Sequence, residues 1–143
     1  MSTSKESAAG TKSLTQPLAS YSHTRRVGQL IFVAGQGCRD PQTNSYRGLT
    51  LGTDGAVFSY DIREQARGVL DNIERALRSE GLDRSAIVDV QVFLTDMKDF
   101  PGMNEVWNEF FKEVSPLPTR TTVAVKALPG SNFVEMKTVA QAR

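Results

Sequence analysis

Arg120 and Glu135 are the residues of this chain whose chemistry is most informative, because each lies on a short β-like run near the carboxyl-terminal end. A guanidinium presents a planar fork of donors that matches a carboxylate, and a glutamate can take up and return protons. The pair could therefore hold an acidic small molecule and move protons on it. The alternative is structural, since an ion pair or a solvated sheet face would use the same residue types.

Successive side chains of a strand point to opposite faces, so the run from Pro118 to Leu128 has two sides. One side carries Arg120, Thr122, Ala124 and Lys126, and the other carries Thr121, Val123, Val125 and Ala127. This pattern is typical of a strand with one polar side.

The two runs would form a simple hairpin if the chain turned at Gly130-Ser131. Arg120 would then lie opposite roughly residue 140, and Glu135 opposite roughly residue 126. At about 3.3 Å per residue, the two side chains would be roughly 15–20 Å apart. A joint site for a small molecule would have to form where subunits meet.

Two helices are predicted upstream of these runs. Hydrophobic residues recur at helical spacing from Asp61 to Ser79, with Asp61 placed as the cap and Gly81 as the stop. A second helix follows Asp99-Phe100-Pro101, and its apolar stripe extends to Val114.

The remaining apolar runs indicate strands. Gln29 to Gly35 is predicted to be a buried strand, and residues 37–58 a long excursion with a partial strand. Ile87 to Thr95 is predicted to be a central strand, with its apolar residues alternating as Val88, Val90, Val92 and Leu94.

This order of elements predicts an α+β fold, in which two helices pack on one face of a mixed β-sheet. The other face of the sheet then needs a cover. Copies of the same chain are the simplest cover, so we expect a homo-oligomer with identical clefts between its subunits.

Composition narrows the function classes. The 143 residues are 39% hydrophobic and carry a net charge of +1, which fits one compact domain and gives no basic field for nucleic acid. Residues 1–17 are predicted to be a flexible arm and residues 18–143 a single domain. The chain shows no signal peptide or membrane span, so we expect a cytoplasmic protein that does not bind membranes.

Several kinds of site lack their usual residues. One histidine and one cysteine cannot build a typical zinc site, and we expect no metal. Cys38 is interpreted as a packing residue and His23 as a surface residue. Gly35-Gln-Gly37 follows a strand but leads into Asp40-Pro41, which opens a turn and not a phosphate-binding helix.

Short strings of residues occur in an informative order. They are Val33-Ala-Gly35-Gln36, Asp40-Pro41-Gln-Thr43, Glu64-Gln65, Asn72-Ile73, Val92-Phe93-Leu94, Asp99-Phe100, Phe110-Phe111, Pro118-Thr-Arg120, Leu128-Pro129 and Val134-Glu135. In this order and spacing, residues 18–143 resemble the RidA/YjgF family of reactive-intermediate deaminases.

The resemblance implies a chorismate-mutase-like fold whose sheets form a trimeric barrel, with sites between subunits and trimers that could stack to hexamers. It places Arg120 on the family's substrate-binding arginine and Glu135 on the glutamate that positions the hydrolytic water. It also places substrate-binding roles on Tyr21, Gly35, Asn104 and Thr122. Thr122 stands where the family usually has cysteine, and Ala34 where it usually has serine.

Within the family, the resemblance is greatest to the 2-aminomuconate deaminases of bacterial aromatic degradation. It implies hydrolysis of 2-aminomuconate to 4-oxalocrotonate and ammonia without metal or organic cofactor. The second carboxylate of that substrate would need a cation, for which Arg39, Arg47, Arg25, Arg26 and Lys126 are candidates. The alternatives are a general hydrolase of 2-imino acids and a non-enzymatic module that binds a small ligand or RNA.

Overall fold

The computed structural model describes residues 14–17 and 19–142. The strands are β1 (Thr24–Val27), β2 (Leu30–Gln36), β3 (Leu49–Leu51), β4 (Val57–Tyr60), β5 (Ile87–Leu94), β6 (Thr119–Ala124) and β7 (Val134–Gln141). The helices are α1 (Ile62–Ser79) and α2 (Phe100–Phe110). Most of the predicted flexible arm, residues 1–13, lies outside the described residues.

Five strands form the main sheet, in the order β1-β2-β7-β5-β6, and β3 pairs with β4 in a separate ribbon. The β5–β6 pair is parallel and the other pairs are antiparallel, so the sheet is mixed. Both helices contribute to one core with the buried side chains of the sheet. The predicted α+β architecture is confirmed.

The simple hairpin considered for the last two runs does not form, because β5 lies between β6 and β7. Residues 125–133 carry the chain across β5 instead of turning back onto β6. If β6 and β7 paired with each other, β5 would not lie between them, and one of its edges would lack a paired strand. Insertion pairs both edges of β5 and keeps Val90, Val92 and Leu94 in the core.

The two predicted helices are confirmed, and α1 is capped as its sequence predicts. The Asp61 carboxylate accepts hydrogen bonds from the backbone of Arg63 at 2.9 Å and Glu64 at 3.3 Å. Gly81 adopts a φ of 75° after the last turn, a conformation that glycine tolerates best.

Among the described residues, no helix has both the length and the hydropathy to cross a membrane.

The second helix is shorter than its apolar stripe predicts. It ends at Phe110, and the stripe continues through a turn in which Phe111 and Val114 remain buried. Hydrophobic spacing indicates which side chains are buried, but it does not distinguish a helix from a turn that buries the same side chains.

A bulge changes the predicted alternation at the start of β5. The pairing with β7 is irregular between Ile87 and Asp89, which leaves Val88 43% exposed while Ile87 is buried. The prediction that placed Val88 on the same side as Val90 is therefore wrong, because a bulge shifts the side-chain period by one residue.

The face of the sheet away from the helices carries apolar side chains that water can reach in the single chain. Phe32 and Val123 lie on this open face and are 38% and 42% exposed. Exposed apolar residues on a sheet face are typical of an interface. That copies of the chain cover this face stays a prediction.

Two buried amides of α1 hold the loops at the carboxyl-terminal end of β2 and before β7. Gln65 donates to the Ser131 carbonyl at 3.0 Å and accepts from the Phe133 N–H at 2.8 Å. Asn72 donates to the carbonyls of Gly37 and Arg39, each at 2.9 Å. Helix α1 therefore fixes the positions of both loops.

Gln65→Leu is expected to lower the free energy of unfolding by about 2–5 kcal/mol, because the Ser131 carbonyl and the Phe133 N–H would both lose their partner. Gln42→Leu is the matched control, since Gln42 is exposed, and it should change the value by less than about 0.5 kcal/mol. Urea denaturation at one fixed protein concentration measures both. Equal effects of the two substitutions would contradict the role of Gln65.

Candidate active site

Arg120 lies on β6, at the edge of the sheet, and its side chain points toward the helices. It pairs in register with Val90, whose side chain is in the core. The Arg120 Nη1 donates a 2.8 Å hydrogen bond to the Asn104 Oδ1 of α2. The guanidinium carbon is 4.8 Å from the centroid of the Trp107 ring, within range of a cation–π contact.

These contacts orient the guanidinium and leave donors for a ligand. A guanidinium has five N–H donors, and no carboxylate in residues 14–17 or 19–142 forms an ion pair with Arg120. Burial lowers the pKa of Arg120 from its ordinary value, since desolvation disfavours the charged form. Arginine is nevertheless protonated in proteins, so Arg120 presents a positive charge without a carboxylate partner.

Thr122 lies two residues beyond Arg120 on the same side of β6. Its Oγ1 is buried and has no hydrogen-bond partner among the described residues. A buried hydroxyl without a hydrogen-bond partner destabilises the folded chain. A ligand or a second chain that bonds to it would remove this cost. Arg120, Asn104 and Thr122, three of the predicted site residues, thus lie together, and we call them the arginine half-site.

Glu135 lies on β7 and points to the open face of the sheet. Its neighbours Val134 and Met136 are buried in the core, so the side chain between them points away from the helices. The carboxyl group lies against Gly35, where an added Cβ would be 3.2 Å from the Glu135 Cδ. Gly35 lies between Val33 and Gln36, where the pairing of β2 with β7 is irregular.

Tyr21, Gly35 and Glu135 line one cleft of about 260 Å³, and we call these three residues the glutamate half-site. Burial raises the pKa of Glu135 above the ordinary glutamate value. Desolvation is the cause of this shift, and Arg120 cannot offset it within one chain because it lies on the other face of the sheet. The sequence left the direction of this shift open, and the fold decides it.

One chain cannot bring the two half-sites together. Arg120 is level with Val90 of β5, and Glu135 is level with Phe93. Three residues along the strand and two strand spacings across give roughly 14 Å between the backbones, and the side chains point to opposite faces. The separation expected from the hairpin therefore persists, although its geometric cause is different.

The sequence did not point to several residues that line or shape the glutamate cleft. His23, interpreted as a surface residue, is half-buried there and contacts the Thr15 carbonyl. The Asn132 Oδ1 accepts a hydrogen bond from the Cys38 N–H at 2.8 Å, and the Asn132 amide lies directly against Gly37. The Gly35-Gln-Gly37 string was the available signal, since two glycines after a strand allow other side chains close to the backbone.

Cys38 is buried, as the sequence predicted. Burial raises the pKa of its thiol to about 11. A thiol that is protonated at neutral pH is a poor nucleophile, so the structure agrees with a packing role.

Known proteins are similar to this chain in sequence and in fold. Residues 11–142 match the family model described as Endoribonuclease L-PSP. A RutC family protein of Pyrococcus abyssi is 37% identical over 130 residues, which cover 91% of this chain and 92% of that protein. A 2-iminobutanoate/2-iminopropanoate deaminase of Dermatophagoides farinae is 31% identical over 124 residues, 87% of each chain.

The fold also matches a solved structure. The crystal structure of E. coli TdcF with bound serine superposes with a TM-score of 0.79 at 28% identity, covering 92% of this chain and 95% of TdcF.

Glu135→Gln is expected to stabilise the protein at about pH 7.5 and to leave its stability unchanged at about pH 3.5. The folded-state pKa of Glu135 is raised, so ionisation removes stability as the pH rises from the ordinary value, about 4.3, through the folded value. Glutamine avoids this loss, at about 1.4 kcal/mol per pKa unit. Thermal unfolding of both proteins at the two pH values measures the difference.

Glu105→Gln is the control, because the ion pair with Arg63 lowers the pKa of Glu105. That variant should lose stability at neutral pH, the opposite sign. A Glu135→Gln effect that is the same at both pH values would contradict the desolvation of Glu135.

Proposed function

The chain belongs to the RidA/YjgF family, and on this basis we propose that it is a hydrolase that deaminates enamines or imines of carboxylic acids. The products would be a 2-oxo acid and ammonia. The observation that carries this proposal is the pair of half-sites, one with a cation that pairs with no carboxylate of the described residues and one with a half-buried carboxyl of raised pKa. The deaminase of Dermatophagoides farinae supports the reaction class.

The active unit in this proposal is a homotrimer. The arginine half-site of one copy meets the glutamate half-site of the next copy, so that each interface forms one complete site. The exposed apolar residues of the open sheet face support this assembly, because a second chain would remove them from water.

The proposed reaction starts when Arg120 binds the carboxylate next to the carbon that bears nitrogen, through two parallel hydrogen bonds. An enamine first takes a proton from solvent on carbon and becomes an iminium ion. Glu135 then accepts a proton from water as the water oxygen bonds to the iminium carbon. The protonated Glu135 returns this proton to nitrogen. The C–N bond then breaks as the C–O bond becomes a carbonyl, ammonia leaves, and the hydroxyl proton passes to Glu135, which releases it to solvent to give the 2-oxo acid.

The remaining half-site residues would bind and orient the substrate. Asn104 holds the guanidinium by its 2.8 Å hydrogen bond, and the free Thr122 hydroxyl can bond a substrate oxygen. Gly35 borders the carboxyl of Glu135 and Tyr21 lines the same cleft, so a backbone N–H and a tyrosine hydroxyl could bond the reacting group.

We propose 2-aminomuconate, a six-carbon dicarboxylic enamine of aromatic degradation, as the specific substrate, with 4-oxalocrotonate as the product. General hydrolysis of small 2-imino acids is the second candidate. The Dermatophagoides farinae relative favours the small imines, and Thr122 and Ala34, at positions where family members usually have cysteine and serine, favour a changed substrate.

The family description also names an endoribonuclease. The net charge of +1 gives little attraction for a phosphate backbone, so we favour the deaminase. RNA binding that weakens steeply with added salt, together with absent deamination, would reverse this preference.

Ammonia release from freshly generated 2-aminomuconate and from 2-iminobutanoate tests the reaction directly. We expect Arg120→Ala and Glu135→Gln each to lower kcat/KM by about 10²-fold or more, because each removes a group that acts on the reacting atoms. Ammonia release at the wild-type rate by either variant would contradict the assigned roles. A strong preference for 2-iminobutanoate would favour the general hydrolase.

Mixing the two variants tests the shared site. If Arg120 and Glu135 of different copies meet, oligomers refolded from equal amounts of Arg120→Ala and Glu135→Gln should recover about a quarter of the wild-type activity. In such mixtures some interfaces contain both intact residues. No recovery, with oligomers shown to form by sedimentation, would contradict a site shared between copies.

A further inference from the structure

Arg39 is the arginine that lines the glutamate cleft, beside Glu135 and Tyr21. It lies three residues beyond Gln36, the last residue of β2, and its backbone forms an isolated β-bridge with Tyr46, which also lines the cleft. Among the described residues that line this cleft, no other arginine or lysine occurs. The described lining of this cleft therefore contains one permanent positive charge, that of Arg39, and one carboxyl group, that of Glu135.

The Arg39 guanidinium has a neutral partner. Its Nη2 donates to the Gln16 carbonyl at 2.6 Å, and no carboxylate in residues 14–17 or 19–142 pairs with it. Arg47 differs, because it forms ion pairs with Asp71 at 2.8 Å and Glu64 at 3.3 Å. The charge of Arg47 is thus matched by carboxylates, whereas that of Arg39 is matched by none in the part of the chain that the structure describes.

The backbone of Arg39 is held in place while its side chain can change partner. The buried Asn72 donates to the Arg39 carbonyl at 2.9 Å, which ties the residue to α1. One hydrogen bond to a neutral carbonyl is weaker than a charge-assisted bond to a carboxylate. An anion that enters the cleft can therefore replace the Gln16 carbonyl at the guanidinium.

The other cations considered from the sequence do not line the glutamate cleft. Arg25 and Arg26 lie on the edge strand β1 and are exposed, and neither lines the glutamate cleft. Lys126 is exposed beyond the end of β6.

We propose that Arg39 binds a second carboxylate of the substrate, at the end remote from the reacting carbon, and so makes the site selective for dicarboxylic enamines. This inference rests on the proposed deaminase function. In the assembled site, Arg120 would hold the carboxylate next to the nitrogen-bearing carbon. Arg39 would hold the distal carboxylate on the Glu135 side of the same cleft.

Binding of unreactive acids tests the inference without turnover. Adipate and hexanoate have the same chain length and differ in one carboxylate, and calorimetric titration of the full-length protein compares them. We expect adipate to bind about 10- to 100-fold more tightly than hexanoate, and Arg39→Gln to abolish that preference. Glutamine can still donate to the Gln16 carbonyl, so the local structure should persist.

Arg25→Gln is the matched control, because it removes the same charge outside the cleft and should keep the preference for adipate. Equal binding of the two acids by the wild type, or an unchanged preference in Arg39→Gln, would overturn the inference.

Kinetics separate this inference from the proposed function. Arg39→Gln should raise KM for 2-aminomuconate about 10-fold or more, with little change in kcat, and should leave 2-iminobutanoate kinetics unchanged. Equal losses on both substrates would reject the distal role of Arg39. If the wild type prefers adipate but deaminates neither substrate, the deaminase proposal fails and the dicarboxylate site stands.

Discussion

The position of β5 between β6 and β7 is the constraint on which the arrangement of the site depends. Because β5 pairs with both strands, Arg120 and Glu135 are held apart and on opposite faces of the sheet. A shared pocket within one chain is excluded by this geometry. The same geometry prevents Arg120 and Glu135 from forming an ion pair within one chain, and burial shifts the pKa of each group.

Each half-site is held by packing and hydrogen bonds from the helices. The Asn104 amide and the Trp107 ring of α2 orient the guanidinium of Arg120. The buried Gln65 and Asn72 of α1 fix the loops beside the glutamate cleft. The helical layer thus stabilises the fold and positions both groups proposed to act on the substrate, as preorganised sites require.

Much of the fold could be predicted from local pattern. The Asp61 cap, the helical spacing of α1 and the apolar run of β5 each report a property that neighbouring residues determine together. The candidate residues could also be predicted, because the side chains of Arg120 and Glu135 can bind a carboxylate and transfer protons. Their placement could not be predicted, because strand order depends on free-energy differences between alternative pairings of the whole chain. The bulge that exposes Val88 could not be predicted either, because it depends on how β5 pairs with β7.

The sequence by itself determined the helices, most of the strands, the family resemblance and the chemical groups available, because these follow from residue type and short-range periodicity. Only the tertiary structure decided which groups share a cleft. It placed Arg39 in the cleft that Glu135 and Tyr21 line, and it paired Arg47 with carboxylates of α1. It also placed Arg120 on the other face of the sheet. The physical reason is that contacts between distant segments depend on how strands pair and layers pack, and local spacing carries little information about either.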